Sequence, residues 1–325
     1  MHYTTLGRTG LTVGVAGLGC GGFSRLGLGT GGDEAGAIAI LHQAIALGVN
    51  LFDTAASYGT ESVLGKAIKA VARDSVVLCT KAPFRWSGGR ATPEGVVAAL
   101  DNSLRQLDTD YIDVYQLHGV PPANYAHALE VLAPALLRER DKGKFRFLGI
   151  TETAPHDLRH EMLGRAAKDG VWDVAMVGFS MMHQNARERV FPLTRAHKIG
   201  TLLMFAVRNV FSQPGRLQAT LRDLAAAGQV SAALAENEDP LGFLAHEGGA
   251  SSVVDACYRY VRHEPGVDVV LFGTGSPAHL RTNIDSLLKP PLPAADHRKI
   301  DELFGHLVGV GLDAPHLSNA PRGSS

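Results

Sequence analysis

With 325 residues, 45% hydrophobic and 19% charged, the chain is long enough to bury one large core and too apolar for a disordered polymer. A net charge of −1 without any Lys/Arg block gives no footprint for nucleic acid or an acidic membrane surface. Three scattered cysteines, Cys20, Cys79 and Cys257, lack a Cys-x-x-Cys pair and read as buried thiols of a reducing compartment; with no leader pattern and no apolar run near ~18 residues, a soluble, cytoplasmic chain is expected.

The first 14 residues read as a β-hairpin around an Arg-Thr-Gly turn, placed to plug one end of whatever follows. A first buried strand over 13–19 opens into a glycine-rich loop reaching Gly32, where Gly21 and Gly22 would let a ligand approach the backbone. Asp33 then caps a helix with Ile38, Leu41 and Ile45 on one face, stopped by Gly48. Strand two starts at Asn50, a helix spans 61–73, and strand three spans 76–80. Thr92-Pro93 starts a helix burying Val96, Val97, Leu100, Leu104 and Leu107, and strand four follows at 111–117. A helix over 125–142 should kink or break at Pro134. Strand five at 145–151, a helix over 155–168, strand six at 173–180, a helix over 186–197 and strand seven at 201–207 continue the alternation. Residues 212–249 read as a long loop of the kind that serves as a lid or substrate loop. A helix over 251–262, strand eight at 267–272, a helix opened by Ser276-Pro277, a final helix over 294–307 and a loose tail over 313–325 complete the chain.

Eight strand-like runs alternating with helices predict one α/β domain, a (β/α)8 TIM barrel with an N-terminal hairpin and a C-terminal helix. An open doubly wound sheet is the alternative, weakened by the absence of a Gly-x-Gly-x-x-Gly turn running directly into a helix.

The chemistry gathers at strand ends. Asn50 to Gly59 delivers Asp53 and, five residues on, Tyr58; the third strand delivers Lys81 and the fourth His118. Barrel strands bring their carboxyl ends to one mouth, so an acid, a phenol, an ammonium and an imidazole would converge there as a proton-handling set. Singly each has a dull explanation, such as a cap, a surface edge or one of 14 histidines.

These residues carry a resemblance to the aldo-keto reductases. It rests on Leu-Gly-Arg-Thr-Gly-Leu-Thr-Val near the start, Gly-Val-Asn-Leu-Phe-Asp-Thr-Ala-Ala-Ser-Tyr-Gly at 48–59, Thr80-Lys81, the run from Ser103 to His118, Gly-Lys-Phe-Arg-Phe-Leu-Gly-Ile-Thr, and Gly-Thr-Gly-Ser-Pro-Ala-His-Leu-Arg-Thr-Asn at 273–283. The resemblance covers the chain to about residue 290 and implies a carbonyl reductase with the tetrad Asp53, Tyr58, Lys81 and His118. Tyr58 would be the general acid, Lys81 would favour its phenolate, Asp53 would keep Lys81 charged, and His118 would donate to the carbonyl oxygen. The resemblance also implies that histidine at 118, where some branches place glutamate, favours carbonyl over double-bond reduction.

The cofactor implied is NADP(H), with NAD(H) as the alternative. Family positions contacting it fall on Cys20, Gly21 and Asp53; on Thr151 and Glu152, where relatives commonly have Ser-Asn; on Met176, where they commonly have Gln; and on Phe205, the ring-stacking aromatic, with Ala206. Gly273, Thr274 and Ser276 lead into a helix N-terminus that suits phosphate. Gly273 and His279 stand where the usual Lys and Arg clamp the 2′-phosphate, with Arg281 as a substitute and Asn283 facing the adenine. Phe23, Tyr58, Trp86 and His118 would line the substrate pocket, which suggests an apolar or aromatic aldehyde or ketone, or a sugar oxidised in reverse. Two competitors come from other classes: a cofactor-sensing subunit resembling potassium-channel β subunits, and a metal-dependent hydrolase on His118, His183 and Asp53. The second lacks a His-x-His pair, and no metal is expected.

Overall fold

The computed structural model describes residues 1–312 except 84, 87 and 88, with backbone alone at 83, 85, 86, 89 and 90. The expected tail at 313–325 and the side chain of Trp86 therefore lie outside the described residues.

An antiparallel hairpin, β1 (Tyr3–Thr5) on β2 (Thr12–Gly14), precedes the main sheet. Its strands are β3 (Ala16–Gly19), β4 (Leu51–Asp53) and β5 (Val77–Pro83). A small ribbon, β6 (Arg85–Trp86) on β7 (Gly89–Arg90), interrupts them. The rest are β8 (Ile112–Val120), β9 (Phe145–Glu152), β10 (Val174–Gly178), β11 (Gly200–Met204) and β12 (Val269–Phe272). The eight main strands are parallel and pair in chain order, and β12 returns to β3 with Val270 opposite Ala16, so the sheet is a closed barrel and the open alternative is excluded.

Alternation along the strands sorts side chains between the barrel axis and the helices. Leu51, Val77, Cys79, Val114, Val174, Met176, Leu202 and Val269 form an interior cluster completed by Leu6, Leu11 and Val13 of the hairpin. The hairpin is thus the plug at the amino end of the barrel, each buried Leu or Val contributing about 1.5–3 kcal/mol. Its turn passes so close to β11 that a Cβ on Gly7, at φ +49, would sit 2.1 Å from the Gly200 nitrogen.

Several helix ends follow local chemistry. Asp33 accepts from Gly36 N at 2.8 Å to start Glu34–Ala46, and Thr92 accepts from Gly95 N at 3.1 Å to start Pro93–Leu107. Elsewhere the structure corrects the sequence. The expected kink at Pro134 is a π-turn over Ala128–Leu132, a wider turn that absorbs proline's missing donor. The helix expected over 155–168 is helical only at Glu161–Ala166, because the Asp157 carboxylate caps the Glu161 and Met162 amides and His160 turns left-handed at φ +54. The helix over 186–197 is two, Ala186–Arg189 and Phe191–Ala196, with Pro192 in the first turn of the second. The 212–249 stretch, read as a loop, carries the helices Arg216–Ala226 and Ala232–Glu236, joined by a Gln218 to Ala235 carbonyl hydrogen bond and buried through Leu221, Leu224 and Ala235.

Candidate active site

Strand register assembles the site. Asp53 lies opposite Cys79, Lys81 opposite Gln116 and Pro83 opposite His118. By period-two alternation, Leu51-Asp53, Val77-Cys79-Lys81 and Val114-Gln116-His118 all face the barrel axis, an apolar floor rising to polar residues at the mouth. Lys81 and His118 are inside β5 and β8 rather than just past their ends, because pairing between these strands continues past the apolar runs, to Pro83 and His118.

Lys81 is fully buried, and its Nζ donates to both Asp53 carboxylate oxygens and to the Thr54 carbonyl, each at 2.7 Å. Those contacts use all three ammonium donors, so Lys81 acts on Tyr58 through its field, from 5.3 Å off the ring centroid. The Tyr58 hydroxyl lies 3.4 Å from His118 Nε2, with the two rings edge-on at 86°. Burial raises Tyr58 above the ordinary phenol range while Lys81 pulls the other way. Burial also raises the Asp53 carboxyl against the pull of Lys81. Burial alone would lower Lys81, but Asp53 and Tyr58 hold it above the usual lysine range and keep it charged. Gln116, also fully buried, donates to Asp53 Oδ1 at 3.4 Å, a contact the sequence did not suggest.

Gly21 explains how the phenol is set. A Cβ there would lie 2.4 Å from Tyr58 Cε2, so the Tyr58 ring rests directly on the Gly21 backbone. Cys20 donates its amide to the Asp53 carbonyl at 2.7 Å, and its buried thiol is pushed up out of the reactive range.

The candidate cofactor positions divide into three groups. Glycine backbones run against each other where β3 and β12 end: a Cβ on Gly273 would be 3.2 Å from the Gly19 oxygen, and one on Gly275 would be 2.3 Å from the Gly27 Cα. Ser276 caps the helix Pro277–Leu288, Thr274 accepts from the Ser276 amide at 3.0 Å, and the turn presents backbone donors at the positive end of a helix dipole. On that helix His279 is exposed, Asn283 is buried, and Arg281 donates to the Gln43 side-chain oxygen at 2.9 and 3.1 Å once the Gln43 amide is turned to face it.

A second group has other partners. Thr151 Oγ1 accepts from Gly119 N at 2.6 Å. Glu152 is fully buried, accepting from Gly178 N and from His160 Nδ1, both at 2.7 Å. Asn185 donates to the Leu158 carbonyl at 2.6 Å, which fixes its amide and turns Oδ1 toward His160 Nε2 at 3.0 Å. His160 Nε2 therefore donates to Asn185, and Nδ1 shares a proton with the Glu152 carboxylate, a partner that favours the imidazolium. Burial opposes that charge, but Glu152 outweighs it and raises His160 overall. Sequence reasoning missed this pair because it placed His160 inside a helix.

In the third group, Met176 belongs to the interior cluster and offers only a weakly accepting thioether, and Ala206 is buried. Phe205 sits at φ +72, where an aromatic residue costs on the order of 1–3 kcal/mol. Arg208, also missed, lies over its ring at 4.4 Å and over the ring of exposed Phe23 at 5.4 Å. Of the metal alternative, Asp53 is held by Lys81 and His183 Nδ1 accepts from Gly309 N at 3.0 Å, and no group of three metal-ligating side chains occurs among the described residues. No described helix is long and apolar enough to cross a membrane.

Comparison with known proteins agrees with the fold. The chain is 28% identical to aldo-keto reductase YhdN of Bacillus subtilis (strain 168), across 95% of each sequence. Its fold resembles that of aldo-keto reductase AKR11C1 from Bacillus halodurans in its holo form, with a TM-score of 0.70, 25% identity and coverage of 94% of this chain and 96% of that one. An aldo/keto reductase from Klebsiella pneumoniae in complex with NADP and acetate gives a TM-score of 0.67 at 24% identity, with the same coverage. The Aldo/keto reductase family model matches residues 17–304. A match that begins in the first barrel strand and ends with the final helix Ala294–Phe304 takes in every strand of the barrel, and the chain belongs to the aldo/keto reductase family.

Proposed function

We propose that this chain is an NADP(H)-dependent carbonyl reductase in which Tyr58 delivers the proton. The observation that carries the proposal is the chain of contacts from Asp53 through Lys81 to Tyr58 and His118, ending in a phenol beside an imidazole. A reduced nicotinamide, when bound, would supply the hydride that the carbonyl carbon needs. The developing alkoxide needs a proton, and Tyr58 is in position to give it, while charged Lys81 stabilises the phenolate left behind. Asp53 keeps Lys81 protonated in a site that would otherwise strip it. His118 orients the carbonyl oxygen by donating to it.

The residues fit a dinucleotide. The glycines where β3 and β12 end let the two backbones approach closely, Gly273 against Gly19 and Gly275 against Gly27, and beside them the helix that Ser276 starts turns the positive end of its dipole to where a phosphate would lie. Phe205 supplies an aromatic face, while Glu152, expected as an acceptor for the carboxamide, is taken up by Gly178 and His160. NADP(H) is preferred because the Klebsiella relative, similar in fold, is a complex with NADP; exposed His279 and the Arg281 held by Gln43 would meet the 2′-phosphate.

The test is loss of reduced-nicotinamide absorbance with NADPH and NADH separately, against a panel of aldehydes and ketones. Wild type should consume NADPH, and Tyr58→Phe should lose roughly 10²–10⁴-fold in kcat with NADPH affinity nearly unchanged. A fully active Tyr58→Phe variant would remove the acid assignment.

A further inference from the structure

Glu152 stands where an acceptor for the nicotinamide carboxamide is expected, yet both of its oxygens have partners within the protein. Oε1 accepts from the Gly178 amide and Oε2 meets His160 Nδ1, each at 2.7 Å, and both side chains are fully buried. His160 Nε2 donates to Asn185 Oδ1, and the Asn185 amide is tied to the Leu158 carbonyl, so the pair joins the connection after β9 to the one after β10. His183 packs against His160 with ring centroids 5.0 Å apart, and its Nδ1 takes the Gly309 amide. A buried ion pair is a poor source of stability, since each charge gives up its hydration, and His160 also holds a left-handed backbone at φ +54.

What the pair fixes is the carboxyl end of β10. A Cβ on Gly178 would fall 3.3 Å from Glu152 Oε1 and 3.1 Å from Phe205 Cδ2, so the carboxylate and the edge of the Phe205 ring meet at the same glycine. One residue on, the Phe179 amide donates to the Met204 carbonyl at 3.2 Å, which ties that end of β10 to the residue before Phe205. Phe205 holds φ +72 with Arg208 4.4 Å over one face of its ring, so a stacked nicotinamide would take the opposite face. The turn suited to phosphates lies where β3 and β12 end, and β9 lies across the closed barrel from β3. Resting on the reductase proposal, we infer that Glu152 and His160 are positioning residues for the nicotinamide, holding Gly178 and Phe205 as the wall against which its ring stacks without touching it themselves.

The experiment compares NADPH with adenosine 2′,5′-bisphosphate, which keeps the adenosine and its 2′-phosphate and lacks the nicotinamide. Dissociation constants from calorimetry, the emission of bound NADPH and melting curves are measured for wild type, Glu152→Ala, His160→Ala, Glu152→Gln, Phe205→Ala and the double variant His160→Ala/Phe205→Ala. Glu152→Ala and His160→Ala should weaken NADPH about tenfold, leave the bisphosphate within about twofold, and return NADPH emission toward that of the free cofactor. Glu152→Gln should stay within about threefold of wild type, because its side-chain carbonyl still accepts from Gly178 and its amide donates to a neutral His160. The double variant should bind NADPH no more weakly than Phe205→Ala, since both changes act on one wall. Should Glu152→Ala not fold, His160→Ala reads the same wall. Equal weakening of both ligands, or unchanged NADPH binding in the alanine variants, would reduce the pair to a support of the fold and overturn the inference. Additive losses in the double variant would overturn it too, as would a wild type that binds NADPH no more tightly than the bisphosphate. The expected binding pattern in a protein that reduces no aldehyde would leave the positioning role standing and sink only the reductase proposal.

Discussion

Lys81→Met isolates the electrostatic contribution to proton delivery. Lys81 Nζ lies 5.3 Å from the centre of the Tyr58 ring. A unit charge at that separation, at an effective dielectric of about 20, stabilises a phenolate by about 3 kcal/mol. If all of that is felt in the transition state, kcat/KM for reduction falls on the order of 10²-fold. The single variant also strands the buried Asp53 carboxylate, which costs about 3–5 kcal/mol of stability, so Asp53→Asn/Lys81→Met is its control. That double variant should regain melting temperature and stay inactive. Reduction needs protonated Tyr58, and loss of Lys81 raises the phenol further, so the alkaline limb of kcat/KM should move to higher pH. Activity within tenfold of wild type, recovery of activity in the double variant, or movement of that limb to lower pH would each refute the field argument.

Gly21→Ala should leave the fold intact and lower kcat by tenfold or more with little change in KM. The new Cβ would fall 2.4 Å from Tyr58 Cε2 and push the phenol away from His118, and a displacement near 1 Å can cost about 10²-fold; unchanged kinetics would show that the ring tolerates the shift. Burial, with the nearby His160 charge, holds His183 down to about 3, so its contribution to stability is complete above the ordinary imidazole value and is lost as pH falls through it. At pH 5 that loss is about 2 kcal/mol, taking an unfolded value of about 6.5 and 1.36 kcal/mol per unit. Denaturant unfolding across that range should show a shallower acid loss in His183→Gln than in wild type, and equal slopes would refute it. His160 has the opposite sign: its raised value makes the Glu152 pairing complete below the ordinary imidazole value and lost as pH rises through the folded one, so Glu152→Gln should narrow its stability deficit in alkali.

The barrel and the tetrad were legible because both follow from short-range pattern. An apolar strand leaves its residues alternating between axis and shell, so Asp53, Lys81 and His118 could be assigned to one mouth without knowing any distance. Helix boundaries at Asp33 and Thr92 were legible for the same reason, since the capping oxygen sits three residues from the amide it serves. Reading 212–249 as a loop failed because its helices are held by a few buried contacts, Leu221, Leu224 and Ala235, within a polar, proline-punctuated stretch.

What stayed illegible shares a different property: each case includes at least one contact between side chains far apart in the chain, which local preference does not report. His160 lies in a stretch whose composition reads as helix, yet it adopts φ +54 so that one nitrogen meets Glu152 and the other Asn185, 25 residues on. That conformation delays the helix start to Glu161, and the misplaced helix and the missed imidazolium are one error. Arg208 is alike, unremarkable in the sequence yet set against the rings of Phe23 and Phe205, which follow β3 and β11. In both places a charged group is held in a fixed geometry at the rim of an apolar barrel, at the cost of a left-handed backbone at His160 or Phe205. Strain of that kind persists only where surrounding contacts over-determine it, and His160 and Phe205 both lie in connections that leave the carboxyl ends of barrel strands, β9 and β11. The departures from sequence expectation therefore point to the mouth of the barrel, where differences in substrate choice among proteins of this fold have to arise.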